Sequence, residues 1–303
     1  MAFLFSEILF VAGGRNSQTY ATSELIDLNG RNITCSPPAD LPTPNHGMSS
    51  LRTNEGNPLA CGGFDNDMGC WEYIRREDRW QQGPNLMYER TFSPAVKVAN
   101  DIYYVLSASD YNSNGIFNSE IYSNDFFSSG PPVPADVDNR HPCAAAISET
   151  LIFFANDAAY ILDTETDMIE ETPTHMLFKT YMSHCGVATK SDGSKMVVVA
   201  GSFLIDDRRS TQILDLDTGV WRMSNTFPFD VRLGTVVPYG NTFLILGGRS
   251  GGATSPDYAT TSIIEFEPDS ETWVVRQERM TEQRSGHYAA FVDREHFDCQ
   301  SSK

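Results

Sequence analysis

A glycine pair closes three separate apolar runs in this chain, and that recurrence constrains the fold more than any other feature. Gly13-Gly14 follows the run from Ile8 to Ala12, Gly62-Gly63 follows Pro58 to Cys61, and Gly247-Gly248 follows Phe243 to Leu246. Degenerate copies stand at Ser107-Ala108, Ala155-Asn156 and Gly201-Ser202. From Gly13 to Gly247 the chain takes five steps of about 47 residues each, the length of one four-stranded propeller blade. Six such units account for nearly all of the 303 residues, so residues 1–297 read as one closed domain and 298–303 as a short C-terminal tail.

Within each unit the glycine position leads through a polar loop to a short strand, seen at Glu24 to Leu28, Trp71 to Ile74, Ser119 to Tyr122, Ala159 to Leu162, Gln212 to Leu216 and Ser262 to Phe266. A turn then delivers a large residue, clearest as Trp80, Trp221 and Trp273, with Phe127, Ile33 and Ile169 in the weaker copies. This order resembles the Kelch repeat, as do Pro84 to Met87 with Arg90, and Arg279-Met280 with Arg284-Ser-Gly-His287. The resemblance implies an all-β, six-bladed Kelch-type β-propeller with four antiparallel strands per blade. Glycine at Gly13, Gly14, Gly62, Gly63, Gly201, Gly247 and Gly248 allows positive φ or close backbone approach at a strand end, and the tryptophans fill the wedge between twisted sheets. Six first strands are expected at 48–52, 94–98, 143–147, 186–189, 235–237 and 288–292. The last follows the final tryptophan, so it must complete the N-terminal blade and close the ring.

Hydrophobic residues make up 40% of the chain, ample for a core, and no run approaches the roughly 18 apolar residues of a spanning helix, so membrane insertion is not expected. Lys and Arg number 22 against 40 Asp and Glu, a net charge of −18 that repels phosphate backbones and argues against a nucleic-acid partner. The acidity is concentrated: from Val98 to Phe178 Arg140 alone is basic, against thirteen acidic residues. Such a sector is ordinarily a solvated acidic face; as a docking surface for a basic partner it would bind with strong salt dependence.

Six cysteines in a chain this long do not make a disulfide scaffold, but Cys61 and Cys70 fall at facing ends of one predicted hairpin, where a bridge fits. Asn32-Ile33-Thr34 is a glycosylation acceptor, relevant in a secreted protein. The N-terminal stretch is apolar without a positive region before it and carries Glu7, reading as a strand rather than a signal peptide. Extracellular and cytoplasmic settings therefore both remain open. Asp110, Asn112, Asn114 and Asn118 space oxygen-bearing side chains as calcium loops do, but with few carboxylates, and a plain Asn/Gly turn explains them as well. His46, His141, His184 and His287 each precede a first strand and would gather near one channel end. A metal ring is conceivable there, although whole-blade spacing favours turn hydrogen bonds.

The resemblance implies a binding module without a cofactor, in which loops joining second to third and fourth to first strands select a protein partner. Arg15, Arg208, Arg209 and Arg249 lie in or beside the longest such loops and suit carboxylate recognition, with Tyr20, Tyr111 and Tyr258 as aromatic anchors. The alternatives are a copper- or other metal-dependent enzyme with its site at the channel mouth, and an extracellular structural or adhesive domain.

Overall fold

In the computed structural model, residues 7–29, 33–65, 68–106, 118–134, 141–202, 208–250, 258–297 and 299–301 are described. Strand formation follows the apolar runs. Each second strand, such as Lys195–Ala200 with the sequence KMVVVA, is buried along nearly its whole length. Both of its faces are covered by neighbouring sheets, which is why the run is continuous rather than alternating.

Six small antiparallel sheets stand around a central channel as a six-bladed β-propeller. Blade 2 consists of Ser49–Arg52, Pro58–Cys61, Cys70–Ile74 and Arg79–Gln82. Blade 3 consists of Ala95–Lys97, Tyr103–Val105, Asn118–Ser123 and Phe126–Pro132. Blade 4 runs through Cys143–Ala146, Leu151–Ala155, Ala159–Asp163 and Met168–Glu171. Blade 5 is His184–Thr189, Lys195–Ala200, Thr211–Asp215 and Trp221–Met223. Blade 6 is Thr235–Tyr239, Thr242–Leu246, Tyr258–Glu267 and Thr272–Arg284, with the short pair Val231–Arg232 and Arg249–Ser250 extending it at one end.

Blade 1 is the clasp. Tyr288–Asp293 from the C-terminus pairs along Glu7–Ala12 from Glu7↔Asp293 to Ala12↔Tyr288, and Ser23–Ile26 pairs on the other side. Cys299–Ser301, within what the sequence presents as a tail, pairs with the outer strand Ile33–Cys35, and a Cys35–Cys299 disulfide joins them. The ends of the chain are thus held at both the inner and the outer edge of one blade.

The wedges between blades hold the core. Trp273 meets Phe227, Phe243 and Phe266 at centroid distances of 4.8, 5.9 and 4.9 Å. Trp80 packs with Phe10 and Tyr73 and donates its indole N–H to the Ala39 carbonyl at 2.9 Å. Large rings at these places fill the space between twisted sheets.

Candidate functional site

The end of the channel from which the first strands begin is built around a collar. Gly47, Phe92, His141, Met182, Leu233 and Gly286, one from each blade junction, all have φ between 54° and 77°. Left-handed backbone at a bulky residue costs on the order of 1–3 kcal/mol and persists only where the surroundings impose it. Here the imposing feature is a belt of backbone hydrogen bonds. Phe92 N–H donates to Gly47 O at 2.7 Å, Gly47 N–H to Gly286 O at 2.6 Å, and Gly286 N–H to Leu233 O at 2.9 Å. The Phe92 ring fits over the mouth because two collar positions lack side chains: a Cβ on Gly286 would lie 2.5 Å from Phe92 Cε1. Phe92, His141, Met182 and Leu233 border a cavity of about 140 Å³, while towards the opposite end the channel widens to about 530 Å³.

The glycine pairs tie this collar to the blades. Gly14, Gly63 and Gly248 donate their N–H groups to the carbonyls of Asn45, Arg90 and Arg284, each at 2.8 Å. A side chain on Gly62 would run into the Arg90 carbonyl, so the close approach, together with φ values of 69° and 100° at Gly62 and Gly63, demands glycine.

Beneath the collar two buried ion pairs brace the junctions. Arg90 Nε donates to Glu120 at 2.5 Å, and the same carboxylate accepts from Met87 N–H and Tyr88 N–H. Arg284 Nε reaches Glu24 at 3.1 Å, and Glu24 accepts from Thr281 N–H. Burial lowers the Arg90 pKa, opposed by Glu120. At the junction of blades 4 and 5 the same places hold Thr180 and Gln212, with Gln212 accepting from Leu177 N–H at 3.0 Å. The glutamates were hidden in the sequence inside third-strand segments; their spacing from the arginines carries no local signal because the partners come from successive blades.

Over the collar, rings form an arc. Phe64 stacks on His46 at 4.5 Å, Phe92 lies edge-on to His46 at 6.1 Å and to His141 at 4.7 Å, and His141 is 5.9 Å from Tyr181. His46 is pushed down to about 4 by burial and by the charges of Arg15 and Arg249. Both guanidinium groups are therefore close to the arc. Phe64 of the arc is 43% exposed, and Met68 and Met87, in loops of the same chain segment, are 40% and 42% exposed. The loop face thus joins exposed apolar surface to cations in a chain of net charge −18.

Arg15 is exposed, its backbone paired with Ser285, and Arg249 is half-buried opposite Arg232 in a short strand pair. Tyr20 is half-buried, with the Arg284 guanidinium 5.5 Å over its ring. Arg208 is paired with Asp230 at 3.1 Å, and Arg209 donates to the Phe227 carbonyl at 2.9 Å, so both are engaged within the protein. The Tyr258 backbone pairs with Ser250. Tyr111, Asp110, Asn112, Asn114 and Asn32 lie outside the described residues, and Asn118 uses its carbonyl to accept from Arg90 at 3.0 Å.

The four histidines occupy four different register positions rather than one. His184 accepts from Gly234 N–H at 2.9 Å and faces the Ala200 carbonyl, and burial holds it down at about 4. His287 is fully buried, its pKa lowered to about 3 by burial and then by Arg284. Among the described residues no group of three or more His, Cys, Asp or Glu is placed to hold a metal ion. Cys61 and Cys70 are register partners joined by a disulfide, and Cys143 pairs with Cys185 across the inner strands of blades 4 and 5.

No protein-family model matches the sequence, and no curated protein matches it. The fold recurs in 392 solved chains. One, described as "Structure of YjhT", superposes with a TM-score of 0.66 at 12% identity, covering 88% of this chain and 97% of that one. At that identity the likeness establishes the fold alone. No helix among the described residues is long and apolar enough to cross a membrane.

Proposed function

We propose that this is a Kelch-type propeller acting as a protein-interaction module, whose loop face binds an acidic, partly apolar segment of a protein partner. The carrying observation is that the charges of Arg15 and Arg249 act on His46, the ring on which the exposed Phe64 stacks. Apolar side chains supply desolvation and the two guanidinium groups supply carboxylate recognition and charge steering. The narrow mouth favours a surface contact over a small substrate entering from this side. The test is a pull-down comparing wild type with Arg15→Glu/Arg249→Glu. A partner retained by wild type, lost by the double variant and released by salt supports the reading; a partner held equally by both refutes the loop-face assignment.

The pairing of all six cysteines favours an extracellular or otherwise oxidising setting for the module. Free-thiol titration of the protein purified from its native source tests this: no titratable thiol is expected without reductant.

A further inference from the structure

The end of the propeller opposite the loop face carries the turns that join first to second and third to fourth strands. In blade 2 an arginine stands at the entry to each of these turns. Arg52 ends the first strand Ser49–Arg52, and Arg75 directly follows the third strand Cys70–Ile74. Both strands pair antiparallel to Pro58–Cys61 and therefore run towards the same end. The first turn closes on itself: Gly56 N–H donates to the Thr53 carbonyl at 2.8 Å, and Asn57 N–H donates to Thr53 Oγ1 at 3.2 Å. Gly56 has a φ of 76°. A Cβ at Gly56 would lie 2.9 Å from Arg52 Nη2 and 3.4 Å from Arg75 Nη2. Two guanidinium groups thus converge on the bare side of one glycine.

The two are held differently. Arg75 Nε donates to Asn57 Oδ1 at 3.0 Å and Nη2 donates to the Glu55 carbonyl at 2.6 Å, so the turn fixes the plane of its guanidinium. Asn57 is itself anchored, because Glu72 accepts from its amide at 2.9 Å and from Gln81 at 3.1 Å. Arg52 makes no side-chain hydrogen bond or ion pair among the described residues. Both arginines are half-buried, and neither is ion-paired. Burial and then the charge of Arg52 lower the Arg75 pKa; the exposed Arg76 acts in the same direction, and the carboxylates of Asp293 and Glu55 oppose it. Three cations therefore gather here against two carboxylates, in a chain whose net charge is −18. Like charges brought this close repel, and an anion between them relieves the repulsion.

We propose that Arg52 and Arg75 form an oxyanion site on blade 2 that takes a phosphate monoester group, with the exposed Arg76 adding to the attraction. A phosphate monoester carries about two negative charges at neutral pH and three acceptor oxygens. That is enough to engage two guanidinium forks at once, whereas a single fork satisfies a carboxylate. The acidity of the chain as a whole repels a long polyanion, so the ligand is a small phosphate compound rather than a nucleic acid.

The experiment is calorimetric titration of the full chain with ethyl phosphate at about pH 7.5, well above the second phosphate pKa of about 6. Dimethyl phosphate serves as the monoanionic diester and inorganic phosphate as the group without an organic part. Ethyl phosphate is expected to bind saturably and about tenfold or more tighter than the diester. Arg52→Gln should weaken it about tenfold or more. Because the Arg52 side chain bonds to nothing within the described fold, this variant should keep the wild-type circular dichroism and thermal midpoint. Equal affinity for inorganic phosphate assigns the site to the free ion, and a preference for the ester assigns it to an organic monoester; both support the oxyanion site. Absence of saturable binding, equal affinity for the diester, or equal affinity in wild type and a folded Arg52→Gln overturns the proposal. Arg15→Glu/Arg249→Glu should bind ethyl phosphate as wild type does, so this site stands or falls separately from the loop face.

Discussion

Replacing Arg90 by Thr removes the cation from a carboxylate with no solvent access. Glu120 would keep the N–H donors of Met87 at 2.7 Å and Tyr88 at 3.2 Å but lose its counter-charge. Breaking a buried pair from one side costs roughly 3–5 kcal/mol, because the remaining charge is left uncompensated. The chain also contains the neutral solution to the same geometry, Thr180 with Gln212, where the amide accepts Leu177 N–H and donates to the Phe178 carbonyl. The double variant Arg90→Thr/Glu120→Gln should therefore recover most of the loss. A residual of about 1–2 kcal/mol would reflect the void left by the arginine stem. Urea unfolding of the wild type, both single variants and the double variant closes the cycle, and a coupling of at least about 2 kcal/mol is expected. If the single costs instead add within about 0.5 kcal/mol, the two residues are independent and the bracing role assigned to the pair is wrong.

Gly62→Ala should destabilise clearly more than Gly240→Ala in thermal unfolding. Both positions have positive φ, but an added Cβ meets the Arg90 carbonyl at Gly62 and nothing within 4 Å at Gly240, where only the backbone penalty of about 1–2 kcal/mol applies. Cys299→Ser removes a bridge spanning 264 residues at the outer edge of the clasp. It should cost about 2–4 kcal/mol, with proteolysis accelerating first at the chain ends. His184 is held at about 4 in the fold against an unperturbed 6.5. Unfolding therefore takes up a proton below pH 6.5, and the stability tied to neutral His184 is complete above that pH and is lost as pH falls towards 4. In His184→Gln the slope of unfolding free energy against pH in that window should fall by up to about 1.4 kcal/mol per unit; an unchanged slope would refute the burial argument.

Gly13, Gly62, Gly201 and Gly247, separated by whole multiples of about 47 residues, determine the blade count, because the positive φ at these strand ends is a local demand that only glycine meets cheaply. Tyr288–Asp293, which follows Trp273 in the sequence, pairs with Glu7–Ala12 and so supplies the inner strand of the first blade. The site was only partly legible. Arg15 and Arg249 could be named from the loops they begin, whereas Arg208 and Arg209, alike in sequence, are engaged by Asp230 and Phe227. Nothing local marks Arg208 and Arg209 as engaged, because Asp230 and Phe227 lie about twenty residues further along the chain.

The collar shows the same division. Phe92, His141, Met182 and Leu233 share no residue type, yet all take left-handed backbone, and at Phe92 and Leu233 hydrogen bonds running from blade to blade hold it there. Local chemistry therefore determined the repeat, the strands and the closure. Which charges are paired, how narrow the mouth is and what faces the wide end of the channel depended on side chains from different blades meeting in space, and only the closed ring decides those.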